Sequence, residues 1–262
     1  VVWFNDVVLR NRKCPMQFAY DINGLEAVVG EVTFPSSFDD VEFHDGVINS
    51  VSVSIVDQYC EIDLSLGDYK VGRRRSASLL SCRGLESFFG RFGFPELADN
   101  AAAGNVQDGR VDESGGSLRL YLAGGLVEAA GSKVELDVGR ELADRLVASK
   151  IAVGSAGFVQ IEKADFLFSQ LESIHFSAAT SSCVIDLLMA AGGSPSELYP
   201  VRMSFGRVSS CLAKLDVSGL AAEHGFGNVR SCIVSRKEKM IRMYVSDGFI
   251  EVMAGRASLV RR

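Results

Sequence analysis

The chain has 262 residues, 47% of them hydrophobic and 23% charged, and carries a net charge of −6. That length suits one large domain or two of ordinary size with packed cores, and the charge excludes a protein coated in basic residues, though not a local basic surface. No run reaches the roughly 18 apolar residues of a membrane span, and the opening VVWFNDVVLRNRKCP lacks the apolar core and cleavage site of a signal peptide, so the reading is soluble and intracellular.

In chain order, QFAYDI (17–22) predicts a strand. Asn23 followed by Glu26 then forms a capping pair ahead of a helix with Leu25, Val28, Val29 and Val32 on one stripe. VEFH, GVINSVSVSI and YCEIDLSL read as strands punctuated by Asp45-Gly46 and Gly67-Asp68, and the run Arg73, Arg74, Arg75 as a basic loop. Leu85, Phe88, Phe89 and Phe92 fall at helical spacing and predict a second helix. A Gly/Asp/Asn-rich loop over 93–117 leads into the hairpin LRLYLAGGLVEAAG (118–131).

The second half runs in parallel. VELDV (134–138) reads as a strand, RELADRLVASK (140–150) as a helix with Leu142 and Leu146 inward, and FVQIEKADFLF and SIHFSAA as strands. FVQIEKADFLFSQL also fits a helix. CVIDLLM (183–189) is a strand, Val208, Cys211, Leu212 and Leu215 make a last helical stripe, and IRMYVSDGFIEVMA (241–254) closes the chain as a hairpin.

The two hairpins match without a gap at Arg119/Arg242, Tyr121/Tyr244, Gly125/Gly248 and Glu128/Glu251. CEIDLSL and CVIDLLM match at the same offset through Cys60/Cys183, Ile62/Ile185, Asp63/Asp186 and Leu64/Leu187. Two separate matches at one offset predict an internal duplication, with a period too long for a solenoid and suited to a domain. The expectation is an α+β chain of two tandem similar domains, 1–132 and 133–262, each mainly antiparallel sheet with two helices.

That organisation resembles the sliding clamps of the proliferating cell nuclear antigen type and the related checkpoint clamp subunits. The segments that carry the resemblance are DGVINSVSVSIVDQYCEIDLSL (45–66), YPVRMSFGRVSSCLA (199–213) and KMIRMYVSDGFIEVMA (239–254). Two features depart from the pattern. Only Gly131 to Lys133 separates the first hairpin from the next strand, where replicative clamps have a long connector, unless 139–149 serves as one; and the chain finishes GRASLVRR.

The resemblance implies a non-catalytic homo- or heterotrimeric ring of six domains, with helices lining a hole that holds double-stranded DNA without reading sequence. It further implies a clamp loader, partner proteins that dock by peptide motifs, no membrane and, in a eukaryote, the nucleus. Duplex DNA carries a charge about every 1.7 Å, so such a lining needs diffuse positive charge. The candidates are Arg83, Arg91, Arg140, Arg145, Lys150, Arg207 and Lys214. Each, taken singly, also fits a solvated helix face, and the first helix offers two glutamates and no cation.

Chemistry is absent from the pattern. Six cysteines form no C-x-x-C pair and read as reduced thiols packed as small hydrophobes. His44, His175 and His224 are isolated, and neither a phosphate loop nor a dinucleotide fingerprint occurs. Asp63 and Asp186 read as inherited strand packing rather than a catalytic pair, so the expectation is no catalytic residue, no metal and no cofactor. The competing reading is a duplicated structural or assembly protein of the same build that encircles no DNA.

Overall fold

The computed structural model describes residues 38, 41–68, 74–112, 114–138, 156–191, 194–223, 225 and 227–262. Of these, 64% lie in strand and 11% in helix, so sheet packing builds the core. The strands are β1 (Val47–Ser54), β2 (Tyr59–Asp68), β3 (Arg74–Arg83), β4 (Ser87–Gly93), β5 (Val106–Val111), β6 (Ser117–Leu122), β7 (Gly125–Ala130) and β8 (Lys133–Val138), followed by β9 (Gln170–Ser177), β10 (Ser182–Ala191), β11 (Ser194–Asp216), β12 (Val229–Ser235), β13 (Met240–Val245) and β14 (Gly248–Arg261). The described helices are α1 (Phe94–Asn100), α2 (Ala156–Lys163) and α3 (Val217–Ala222).

All strand pairs are antiparallel and belong to one nearly closed, barrel-like sheet. One wall runs β8-β3-β2-β1-β9-β10-β11-β14 and the other β5-β6-β7-β4-β11-β14-β13-β12, because the long strands β11 and β14 pass from wall to wall. The cause is visible in the alternation. Val51 and Val53 of β1, Ile174 and Phe176 of β9, and Phe88 and Phe92 of β4 are buried, while Ser50, Ser52, Phe89 and Arg91 between them face out. The walls meet where Phe176 of β9 stacks on Phe88 of β4, centroids 6.4 Å apart, and touches Phe92 at 4.9 Å.

The expected two domains with two helices each are therefore not what folds. The stripe Leu85, Phe88, Phe89, Phe92 lies in and just before β4, and Val208, Cys211, Leu212, Leu215 lie in β11; both are strands. The loop expected over 93–117 holds α1 and β5, VEFH is irregular, and Arg74 and Arg75 begin β3, where Arg75 donates to the carbonyls of Ala101 and Ala102. FVQIEK takes the helical alternative as part of α2, with Phe158 and Ile161 buried. QFAYDI, the helix after Asn23 and RELADRLVASK lie outside the described residues.

The duplication is present in three dimensions and sits on a two-fold. The register of β1 on β9 sets Ser52 opposite His175, and that of β4 on β11 sets Gly90 opposite Ala213. Each pair is one position of the repeat, 123 residues apart, meeting its own equivalent. Neighbouring pairs exchange roles about these points: Val51 faces Phe176 and Val53 faces Ile174. Antiparallel pairing of equivalent strands at an equivalent residue is what a dyad normal to the sheet produces, and it occurs on both walls.

Local structure repeats with it. Backbone φ is positive at Asp45 and Phe168, at Gln58 and Ser181, at Gly84 and Arg207, and at Gly104 and Gly227. Asn105 is buried, accepts from the backbone N of Ile48 at 2.8 Å and donates to the Leu97 carbonyl at 3.1 Å. Asn228 does the same with Leu171 at 2.7 Å and Leu220 at 3.3 Å. Each asparagine thus ties a short helix, α1 or α3, to the strand that opens the facing wall. The pairing of β8 with β3 repeats that of the last stretch of β14 with β11, Arg83 to Lys133 matching Gly206 to Arg256. VELDV accordingly occupies in the first copy the place that closes the second.

Candidate functional site: the outer face of the second wall

Where the second dyad leaves the sheet, six strands in the order β6, β7, β4, β11, β14, β13 present two rows of side chains. The first row, read across the pairings, is Tyr121, Leu126, Arg91, Leu212, Glu251, Arg242. The second is Arg119, Glu128, Phe89, Lys214, Phe249, Tyr244. Read from opposite ends the rows are one series: tyrosine, apolar, cation, apolar, glutamate, arginine. Their intervening neighbours Leu120, Val127, Gly90, Ala213, Ile250 and Met243 are buried in the core.

The ends of the rows are closed by ion pairs. Arg119 Nε lies 2.5 Å from Glu128 Oε1, and its guanidinium donates to the Tyr121 hydroxyl at 3.4 Å. Arg242 Nε donates to Glu251 Oε2 at 2.6 Å and its Nη1 to the Tyr244 hydroxyl at 3.4 Å. The tyrosine hydroxyl first, and the carboxylate with it, push each guanidinium pKa further up, so both arginines stay charged. Exposed pairs of this kind add little net stability and serve to fix side-chain positions.

The middle of the rows is different. Arg91 and Lys214 are exposed, occupy the same position of the repeat, and have no ion-pair or hydrogen-bond partner among the described residues. As diagonal neighbours across the β4–β11 pair they stand about 7–8 Å apart, their β-carbons somewhat closer. Around them Leu126, Phe89, Leu212 and Phe249 are half-buried, giving two free cations on an apolar floor. A groove of ≈ 1160 Å³ opens beside the second row, lined among others by Phe89, Lys214, Phe249, Asp112, Asp216 and Asp247; Arg91 lies outside its lining.

Of the cations picked from the sequence, the structure unites Arg91 and Lys214. Arg83 ends β3 and pairs with Glu135 at 3.2 Å, while Arg207 lies in β11 at φ 52°, the place of Gly84 in the first copy. None of the four lies on a helix. Arg140, Arg145 and Lys150 lie outside the described residues. In the sequence Arg119, Tyr121 and Glu128 and their twins stand out as a repeated spelling, not as a site. The signal was there: within the repeated hairpins the core positions drift, Leu120 against Met243 and Val127 against Ile250, while the solvent-facing Arg, Tyr and Glu are kept.

The first dyad carries a contrasting cluster. Arg202 grips Asp186 through two bonds of 2.8 and 2.9 Å, and Arg262 approaches it at 3.1 Å. In the first copy Asp63 faces Leu79 where Asp186 faces Arg202; burial pushes its carboxyl up and an Asn49 amide at 3.3 Å opposes the shift. Asp63 and Asp186 stand on β2 and β10 with β1 and β9 between them and offset along the strands, at least about 14 Å apart, which is too far to share a proton. No group of three or more His, Cys, Asp or Glu able to hold a metal occurs among the described residues.

Comparison of the chain with protein-family models, with curated proteins and with solved structures finds no match.

Proposed function

We propose that the chain is a non-catalytic binding and assembly protein: a duplicated β scaffold that holds an anionic partner on the outer face of its second wall. The observation that carries this reading is the pair Arg91 and Lys214, equivalent by the repeat, unneutralised among the described residues, and seated on half-buried apolar side chains while the other cations of the two rows are paired. A sheet face of this build offers charge and apolar contact together, which is the composition of a docking surface.

The duplicated assembly protein is favoured over the encircling ring by the way the copies meet. A closed ring of like domains needs each to offer one edge forward and a different edge back, a heterologous arrangement. Here the copies join through the same strands on both sides, β1 with β9 and β4 with β11, which is isologous and closes on itself.

Titration with poly-L-glutamate and with oligo(dT) at rising salt tests the reading. Wild type binds at least one of these polyanions with an affinity that falls as salt rises, and R91E/K214E weakens it at least tenfold while R207E does not. Absence of binding to both, or binding indifferent to R91E/K214E, overturns it.

A further inference from the structure

The two rows define a path across the face. Taking Tyr121, Leu126 and Arg91 from the first and Lys214, Phe249 and Tyr244 from the second gives one residue on each of six successive strands, with cations in the middle and apolar or aromatic groups toward both ends. Five inter-strand spacings make the path about 24 Å long. It crosses the strands, so its occupant meets side chains only; the main-chain groups of the wall are already bonded to one another.

We propose that the occupant is an acidic amphipathic helix of a partner protein, laid across the strands; this rests on the reading of the face as a docking surface. An extended peptide on this path would find no main-chain partners and leave its own amides unpaired, whereas a helix satisfies its backbone internally. A helix of about 16 residues spans the path. Two carboxylates one turn apart at its centre stand about 6 Å from each other, near the separation of Arg91 and Lys214. Its apolar residues one or two turns away then meet Leu126, Phe89, Leu212 and Phe249. A nucleic acid strand fits less well: it carries a phosphate at every residue and so sets charge beside Glu128 and Glu251, which flank the path next to Phe89 and Leu212, whereas the helix confines its two carboxylates to the centre.

The test uses the whole protein and a synthetic amphipathic peptide of about 16 residues with two central glutamates four positions apart and leucines on the same face toward both ends. Alongside it run its scrambled form, its Glu→Lys form, and oligo(dT). The designed peptide binds at least tenfold more tightly than the scramble, and R91E/K214E loses that affinity tenfold or more while gaining affinity for the Glu→Lys peptide. R91A/K214A, which places no new charge on the face, loses the designed peptide without gaining the Lys form. Equal affinity for peptide and scramble overturns the helix while leaving polyanion docking intact. Tighter binding of oligo(dT) than of the designed peptide overturns it in favour of a nucleic acid, and binding of no ligand overturns the docking surface itself.

Discussion

At the scale of single residues, the buried asparagines make the most decisive prediction. Asn105→Ala leaves the Ile48 amide and the Leu97 carbonyl without their partner, and an unsatisfied buried group costs about 1–3 kcal/mol. A loss of about 2–4 kcal/mol in denaturant unfolding is expected, with a similar loss for Asn228→Ala and near-additivity in the double variant, since the two sites share no partner. His175 predicts a pH dependence. Burial first, then the nearby Arg202 charge, depress its pKa from 6.5 to about 4, with Asp186 opposing. Between those values the unfolded chain takes up a proton that the native protein refuses. Stability is therefore fully present above pH 6.5 and falls as pH drops toward 4, by about 2–3 kcal/mol. His175→Gln removes that part of the acid dependence; unfolding curves at pH 7, 5.5 and 4.5 that keep the same slope in the variant would refute the assignment.

At the scale of elements, the strand β4 and the C-terminal half of β11 show what was legible and what was not. The alternating strands β1, β2, β9 and β10 and the two hairpins could be read directly, because one face is apolar and the other polar. β4 and β11 broke that rule twice. Phe89 and Leu212 point outward yet are apolar, and Gly90 and Ala213 point inward yet are small, which converts a period of two into the i, i+3, i+4, i+7 spacing of a helix. The residues that misled the reading are the floor of the proposed docking face and the dyad beneath it, so the local pattern failed where function and packing overrode it. The break between β3 and β4 has a related test. Gly84 sits at φ 56°, and Arg207 takes the same left-handed conformation, φ 52°, without interrupting β11. Arg207→Gly relieves about 1 kcal/mol of backbone strain, partly offset by the chain entropy glycine adds to the unfolded state. The expected outcome is a small rise in unfolding midpoint, and Gly84→Ala a fall of about 1–2 kcal/mol.

At the scale of the molecule, the duplicated pattern was legible and its geometry was not. Matching Arg119 to Arg242 and Asp63 to Asp186 reveals two copies, but an offset along the sequence carries no information about whether copies sit side by side or interlock. Here they interlock: β1 and β9 share one wall, β4 and β11 the other, and one hydrophobic cluster runs through both copies. Unfolding should be a single cooperative transition by calorimetry, with Asn105→Ala and Asn228→Ala moving the same peak. Two resolved transitions, each sensitive to one asparagine only, would show the copies to be energetically separate.

The dyad through Gly90 and Ala213 makes the second wall a near-palindrome, the same series spelled from either side. A surface written that way is almost blind to the polarity of whatever lies on it. Turned end for end, a bound segment meets tyrosine, cation and glutamate in the same order as before. Direction can be read only where the spelling differs: Leu126 against Phe249, Phe89 against Leu212, and the guanidinium of Arg91 against the ammonium of Lys214. Exchanging the identities at 89 and 212, at 126 and 249, and at 91 and 214 should leave overall affinity nearly unchanged while reversing the preferred sense, as reported by spin labels or fluorophores at the two ends of a bound peptide.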